Sequence, residues 1–524
     1  MRLFKSFATV GGATIASRIL GFLREIMIAA LLGAGPVADA FYAAFRFPNL
    51  FRRLFAEGAF NTAFIPLFAK ELESGGKQAA EAFVRKIFSV LLVTLLVLTA
   101  LAELSMPFLV RTIVAPGFGE GTAKQELTIL LTRIMFPYLL CMSLVAMLSG
   151  VLNSFRKYFV AAFVPVLLNI IMIGVLAYCL WQETGNSPLT GEILAWGVFA
   201  AGLAQLALLW WAVRREGFTV KLGFPTLSPA VKRLLVLAVP AAIAGGITQI
   251  NLLIGQIIAS SQDGAITYLQ LADRIYQLPL GVVGIAIGVV LLPELSRYLK
   301  SGEIENAKTT QNQAMEFAMF FTLPSAVALA VMPDIVTSVL YERGAFNRDA
   351  TLNTADALGA FAWGLPAFVL IKVLSPAFFA RENTKTPMVY AAVNAGINVV
   401  LSIVLFDYFL HVGIAMATTI AAWTNVILLV FGLGKLGHWV IDVATIKRSA
   451  LMLLASLVMG AALFGVIIFV DGYGLLDTQI GRIFSLVGAM LVGVFTYFLV
   501  CRLTGAVNFV HILANMRRGA RSSE

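Results

Sequence analysis

Between Lys86 and Glu103 the chain reads Ile-Phe-Ser-Val-Leu-Leu-Val-Thr-Leu-Leu-Val-Leu-Thr-Ala-Leu-Ala (residues 87–102), a run without a single charge. As a helix rising about 1.5 Å per residue, such a run covers most of a hydrocarbon core roughly 30 Å thick. Comparable runs recur along all 524 residues, of which 60% are hydrophobic and 13% charged, and mean hydropathy is +0.89. A soluble chain carries about a quarter charged residues and just under half apolar ones, so the excess apolar surface needs an apolar solvent. The composition predicts an all-α polytopic membrane protein, and it excludes a soluble enzyme or a receptor with a folded ectodomain. Cys141, Cys179 and Cys501 sit in or at the ends of apolar runs, an odd number with no metal-ligand spacing. Arg2 and Lys5 imitate a secretory signal, but Gly11, Gly12, Arg18 and Arg24 break the run that follows, and it reads as the first helix of the mature protein.

Apolar windows give fourteen expected spans, beginning near residues 7, 37, 87, 127, 158, 190, 230, 265, 314, 353, 386, 411, 449 and 481. The second and eighth are longer than a bilayer needs and are expected to bend or project. Positive charge is retained on the cytoplasmic side. The termini and the loops after even-numbered spans hold 25 basic residues, whereas the loops after odd-numbered spans hold Arg111, Lys124, Arg343, Arg348 and Arg482. Both termini are therefore expected in the cytoplasm. The formal net charge of +10 is spread as loops facing anionic headgroups, not as a nucleic-acid surface.

An internal repeat is present. Pro137, Arg156 and Asn169 recur as Pro366, Lys385 and Asn398, each 229 residues later. Pro48 and Pro66 resemble Pro279 and Pro293 with a few residues lost between them. Six spans per half put the halves in the bilayer in the same orientation, related by an axis along its normal, with two spans left over at the C-terminus. The expected division is 1–220 for the first lobe, 221–440 for the second and 441–524 for the last two helices and tail. That is a transporter plan, with substrate expected between the lobes.

Eight basic residues fall inside or at the edge of spans: Arg18, Arg24, Arg46, Arg52, Arg53, Arg133, Arg274 and Lys372. A charge at the bilayer centre costs at least ~2.5–3.5 kcal/mol, so these must face a wet cavity or each other. At about 100° per residue, Arg18 and Glu25 share a direction and Arg24 points away, while Asp39, Arg46, Arg53 and Glu57 form one stripe. Internal pairing, of Arg24 with Glu25 or Asp39 and of Arg53 with Glu57, accounts for some of them. With Asp273 the nearby acids are still fewer than the bases, and an excess of arginine in a cavity reads as an anion site. Gly33-Ala34-Gly35-Pro36, then Pro279 with Gly281, Gly284 and Gly288, and Pro366 with Pro376 around Lys372, suit helices that bend; ordinary membrane-helix packing also uses such residues. His411, His438 and His511 are isolated, and no nucleophile elbow, P-loop or Asp-rich diphosphate motif is present. No catalytic residue, metal or cofactor is expected.

Ser17-Arg18-Ile19-Leu20-Gly21-Phe22-Leu23-Arg24-Glu25, Asp39-Ala40-Phe41, Phe47-Pro48-Asn49-Leu50-Phe51-Arg52-Arg53, Ala56-Glu57-Gly58-Ala59-Phe60 and Ala63-Phe64-Ile65-Pro66 resemble the N-terminal signature of the MurJ (MviN) family, lipid II flippases of bacterial peptidoglycan synthesis. Ala115-Pro116-Gly117-Phe118, Ala272-Asp273-Arg274, Leu292-Pro293 and Thr384-Lys385-Thr386-Pro387 extend the likeness to about residue 390. The resemblance implies a transporter of the MOP exporter superfamily, in a bacterial inner membrane, that moves undecaprenyl-diphosphate-linked precursor outward by alternating access. By the resemblance Arg18, Arg24, Asp39, Arg52 and Arg274 match positions the family relies on; together with the intramembrane charges this gives Arg18, Arg24, Arg52, Arg53 and Arg274 as expected substrate-binding residues and Glu25, Asp39, Arg46, Glu57, Asp273 and Lys372 as expected cavity or gating residues. The resemblance also implies a groove for the polyprenyl tail on the last two helices, contact with membrane lipids and with proteins of cell-wall synthesis, and no nucleic-acid partner. Glu25 stands where Asp is common and keeps the charge; Gln277 stands where some members carry Glu. Asn394 and Asn398 bring no carboxylate for a sodium site. A flippase for another polyprenyl-linked polysaccharide precursor is the alternative; a cation-exporting drug transporter would favour an acidic cavity, and a polyprenyl-phosphate transferase needs an acid cluster that is not there.

Overall fold

The computed structural model describes residues 2–53 and 60–506. Glu57, His511, Arg517, Arg518 and Arg521 lie outside the described residues. Every regular element among the described residues is a helix. The chain divides into two compact units, Met1–Thr267 with Arg343–Ala350, and Tyr268–Glu342 with Thr351–Glu524.

The first unit contains α1 (Arg2–Leu32), α2 (Pro36–Phe51), α3 (Phe60–Leu109), α4 (Ala123–Met135), α5 (Tyr138–Ser154), α6 (Tyr158–Trp181), α7 (Pro188–Arg215) and α8 (Pro229–Ala259). There α1 packs on α6, α6 and α5 on α7, α2 on α4, and α3 on both α5 and α8. The sequence places α8 at the head of the second lobe; here it belongs to the first unit. Two hydrogen bonds hold its far end, a buried one from Gln256 Nε2 to the Val114 carbonyl at 2.7 Å and a part-buried one from the Gly117 amide to Ser260 Oγ at 2.9 Å.

Nearly all of the second unit is α9 (Ala265–Lys300), α10 (Ile304–Val331), α11 (Pro333–Tyr341), α12 (Arg348–Ala362), α13 (Leu365–Phe379), α14 (Lys385–Lys435), α15 (Val443–Gly472) and α16 (Gln479–Thr504). α10 packs on α13 and α15, α13 on α14, and α15 on α16, around buried side chains that include Leu291, Met315, Leu370, Leu429, Trp439 and Met459.

Among the described residues nine helices are long and apolar enough to cross a membrane, or ten if the pair Pro229–Pro240 and Gly245–Ala259, bent by 54°, is one span. The nine follow ten of the fourteen expected spans, because α14 runs through the eleventh and twelfth, and the bent pair follows the seventh; α1, α2 and α9, over the first, second and eighth, are not among them, and α3 continues from the second expected span into the third. α3 and α14 are each broken once, at Gly76 (φ 66°) and Leu410 (φ 51°), where the backbone turns without unwinding its neighbours. The eighth expected span is α9, a helix of 36 residues with Pro279 and Pro293 inside it. At 1.5 Å per residue it is about 54 Å long, well beyond the hydrocarbon thickness.

Helix starts are chemically marked. The side chains of Thr122, Ser187, Ser228, Asp442 and Thr478 accept from the backbone amide three residues on, at the heads of α4, α7, α8, α15 and α16. Proline fills the first turn of α2, α7, α8 and α11, where its missing N–H leaves nothing unpaired.

The C-terminus of α1 is closed by a segment distant in sequence. Gly33 (φ +63°) turns the chain out of the helix, and the Ala345 amide donates to the Ala30 carbonyl at 2.8 Å. A Cβ on Gly33 would run into the Ala345 carbonyl oxygen, and one on Gly344 (φ +59°) into that of Ala30. Gly344→Ala is therefore expected to lower the unfolding temperature of the purified protein more than Gly302→Ala. Both residues have positive φ, which costs a side chain about 1–2 kcal/mol, but Gly302 (φ +77°) has nothing within 4 Å of its Cβ position. Equal losses would mean that the contact between residues 30–33 and 344–345 carries no stability of its own.

Candidate functional site

The polar residues of α1 divide into a buried knot and an exposed base. Arg24 and Glu25 are 6% and 1% exposed. One guanidinium nitrogen of Arg24 donates to Glu25 Oε1 at 2.8 Å and the other to Asn169 Oδ1 at 2.9 Å. Glu25 Oε2 accepts from the Tyr42 hydroxyl of α2 at 2.8 Å, and Asn169 Nδ2 donates to the Ser17 carbonyl at 2.9 Å. Gly21 faces Asn169, whose amide nitrogen would lie in ordinary contact, 3.5 Å, from a Cβ there. Three helices are thus tied by groups that satisfy each other. Consecutive helical residues point about 100° apart, so the wheel alone separates Arg24 from Glu25; the length of the arginine stem brings them together. Arg18 is exposed and makes no ion pair with the described residues.

Asp39 opens α2 and is fully buried. Its carboxylate accepts from Lys124 Nζ at 2.8 Å, from the Gly264 amide at 2.7 Å, and from the amide and hydroxyl of Thr267 at 3.1 and 2.8 Å. Lys124 bridges on to Asp263 at 2.8 Å and lies 4.1 Å from the centre of the Phe118 ring. Asp39 also stands in the first turn of its helix, where the dipole favours a negative charge. The partner of Asp39 is therefore Lys124 and not Arg24. Sequence reasoning missed Lys124, Asp263 and Thr267 as site residues. The available signal was Lys124 itself, one of few bases in the loops after odd-numbered spans.

Further along α2, Arg46 is half-buried, and beyond its end Arg52 Nε donates to Asn49 Oδ1 at 2.9 Å while Arg53 is exposed. The expected pairing of Arg53 with Glu57 falls on a residue outside those described. Arg133 is exposed on α4, and Glu103 in α3 has one buried oxygen, Oε1, without a hydrogen-bond partner among the described residues.

In the second unit, Asp273 accepts a hydrogen bond from Gln277, the residue that replaces an acid of the family pattern. An amide at 277 can donate to that carboxylate where a second carboxylate would repel it. Arg274 is half-buried beside it. Lys372 of α13 is exposed, and its Nζ lies 3.1 Å from where a Cβ on Gly284 of α9 would stand. Asn398 accepts from Thr418 at 3.3 Å and from Ser402 at 3.5 Å. Among the described residues no group of three or more His, Cys, Asp and Glu could hold a metal ion.

Chemically, the first unit offers an exposed arginine on the helix that carries a fully satisfied buried ion pair, and further bases at the end of α2. That arrangement suits binding an anion at fixed positions.

The lipid II flippase MurJ family profile matches residues 28–500. A probable lipid II flippase MurJ of Rhizobium tropici is 51% identical over 99% of this chain and 97% of its own length. The lipid II flippase MurJ of Burkholderia cenocepacia is 32% identical over 94% of this chain and 95% of its own. A solved structure of lipid II flippase MurJ in an inward closed conformation superposes with a TM-score of 0.78 at 25% identity, covering 94% of this chain and 98% of that one. A multidrug resistance MATE transporter of the MOP superfamily, 12% identical, shares the fold with a TM-score of 0.66 over 80% of this chain and 94% of its own. On full-length identity and a family match spanning nearly all the helices just described, the chain belongs to the lipid II flippase MurJ family.

Proposed function

We propose that this chain is a lipid II flippase, a transporter and not an enzyme, that carries the undecaprenyl-diphosphate-linked peptidoglycan precursor from the cytoplasmic to the periplasmic leaflet of a bacterial inner membrane by alternating access. The observation that carries the reading is the likeness, over nearly its whole length, to relatives named for that activity. The proposal includes fourteen spans in two six-helix lobes, 1–220 and 221–440, with two further helices from 441 and both termini in the cytoplasm. In it, Arg18, Arg52, Arg53 and Arg274 serve the anionic headgroup, because a guanidinium holds a diphosphate through two parallel hydrogen bonds at once, and Arg24, whose two terminal nitrogens are held by Glu25 and Asn169, joins them only when that knot opens. Glu25, Asp39, Arg46, Glu57, Asp273 and Lys372 set the charge balance around them. Depleting the protein in its host tests the reading directly: lipid II should accumulate on the inner leaflet, and accumulation of a different polyprenyl-linked precursor would replace lipid II as substrate.

The arginines should separate by their surroundings. Arg18→Ala removes an exposed charge, so protein abundance should stay normal while lipid II export is lost. Arg24→Ala leaves Glu25 buried without its base, a loss of about 3–5 kcal/mol, so abundance and export should fall together. Arg24→Ala combined with Glu25→Gln should recover abundance but not export. Full export by Arg18→Ala at normal expression would remove the anion-site argument.

Asp39→Asn should act as a structural lesion. An amide at 39 turns one acceptor into a donor facing Lys124 and the amides of Gly264 and Thr267, and it leaves the lysine charge dependent on Asp263. Abundance measured by immunoblot is expected to drop with export. Normal abundance with lost export would give Asp39 a direct part in transport.

Energy coupling follows from charge. The headgroup carries a diphosphate, so outward movement is downhill in an inside-negative cell by roughly 2.3 kcal/mol per charge per 100 mV. The resting arginines are drawn the opposite way, which resets the empty carrier without a bound cation. Asn394, Asn398, Ser402 and Thr418 supply no carboxylate for sodium, which supports this reading. Flipping measured in vesicles should stop when the potential is collapsed and continue without sodium; the reverse result would sink the idea.

A further inference from the structure

Glu103 is the only charged residue between Lys86 and Arg111, and it stands about 24 Å along α3 from Ile87. The side chains around it, Leu101, Leu104 and Phe108, are exposed, so this stretch of helix meets hydrocarbon. Glu103 itself is half-buried. It makes no hydrogen bond or ion pair with the described residues, and its Oε1 is buried. Thr99, one turn earlier on the same face, has a buried hydroxyl that is also unpartnered among the described residues. Two orphaned polar atoms on one turn of a membrane helix call for a partner that the chain around them does not supply.

The helices packed against α3 are α4, α5 and α8. α5 has only Tyr138 and Cys141 as ionisable groups, whose ordinary values leave them uncharged at neutral pH. Lys232 and Arg233 lie in the first two turns of α8, at the opposite end from the bond between Gln256 and Val114. Arg111, about 12 Å further along the chain's helical path, faces Glu120. On α4, Lys124 is held by Asp39 and Asp263, and Glu126 is exposed two turns before Arg133. The charge that acts on Glu103 is Arg133, which is exposed and makes no ion pair with the described residues.

A carboxylate in hydrocarbon is relieved by an ion pair, a bound cation or a proton. Arg133 stands too far off to supply the first. A metal cation needs several oxygen ligands, and Thr99 adds a single neutral one. A proton needs only the carboxylate. We infer that Glu103 is a proton-binding site, a neutral carboxylic acid while Arg133 stands apart and a carboxylate once Arg133 closes on it. The protonated group gains an O–H donor, for which the Thr99 oxygen is an acceptor one turn away. An opposite charge at close range favours ionisation, so drawing α4 toward α3 would expel the proton, and taking up the proton would let the two helices part. The inference rests on α3 lying in the membrane and not on what the protein transports.

The test uses the full chain in phosphatidylcholine nanodiscs at neutral pH, with an apolar fluorescent carbodiimide that reacts with a carboxylic acid and not with a carboxylate. The acid proton passes to one nitrogen of the reagent, the carboxyl oxygen bonds to its central carbon, and the O-acylisourea rearranges to a stable N-acylurea with no atom lost. Mass spectrometry of the peptide containing Glu103 should show this adduct in the parent protein, and it should be absent from Glu103→Gln. Arg133→Gln should keep the adduct, because it removes the charge that favours the ionised form. A parent protein without the adduct overturns the inference, and an adduct that appears only in Arg133→Gln would identify Glu103 as the ionised partner of Arg133. Abundance gives a second reading that does not depend on the reagent. An amide imitates the neutral acid, so Glu103→Gln should leave abundance unchanged. A drop in abundance, restored when Arg133→Gln is added, would mean that a charge pair had been broken and would likewise overturn the site. Both readings are made without flipping, so loss of transport has no bearing on the outcome.

Discussion

An unpaired charge in hydrocarbon is unfavourable by several kcal/mol, and the architecture of the first unit is arranged around that constraint. Arg24 and Glu25 are buried almost completely, yet each polar end has a partner: Asn169 and Glu25 for the guanidinium, Arg24 and Tyr42 for the carboxylate. The knot does more than neutralise. It makes α1 depend on α2 and α6 for the satisfaction of its own charges, so that none of the three helices can shift alone without exposing an ion. Hydrophobic contact between membrane helices offers little such specificity, since lipid tails are as apolar as leucine.

Asp39 applies the same logic to chain segments far apart in sequence. Its oxygens gather a lysine from the start of α4 and three donors from the stretch Gly264–Thr267. A carboxylate with that many donors is stable where it lies, and the start of α2 is fixed with it. The exit of α1 is closed nearby in the sequence by a backbone contact with residues 344–345, through two glycines in left-handed conformation. Side-chain charge at one end of the Gly33–Asp39 turn and bare backbone at the other define where the first helix ends and the second begins.

Much of the helical plan is legible in residue order because the bilayer leaves only two solutions for a buried backbone, and the apolar runs here are of helix length. Helix continuity is less legible. Nothing in the hydropathy around Gly76 or Leu410 separates a loop from a single off-helix residue, so expected span ends lie inside α3 and α14. The pairing of Arg24 with Glu25 is within reach of sequence because both residues are intramembrane and adjacent. The pairing of Asp39 with Lys124 is not, since it needs the fold to bring residues 85 positions apart together. The hydrogen bond from Gln277 to Asp273 lies between, one helical turn apart and readable once the segment is known to be helical.

The bases that break the charge rule repay attention for the same reason. Positive charge is sorted while the chain is being inserted, before tertiary partners exist, so a lysine or arginine on the outer side in the proposed orientation opposes its own topology at that stage. Of the five in the loops after odd-numbered spans, Lys124 meets Asp39 and Asp263, Arg482 meets Glu342 together with the Ser338 hydroxyl at 2.8 Å, and Arg111 lies 3.3 Å from Glu120. Lys124 and Arg482 are largely shielded from solvent, whereas Arg111 and Glu120 are open to it and hold each other weakly. Lys124 ties α4 to the head of α2, and Arg482 ties α16 to the end of α11. In the proposed orientation Lys124 and Arg482, on the side that disfavours positive charge, each belong to a shielded ion pair.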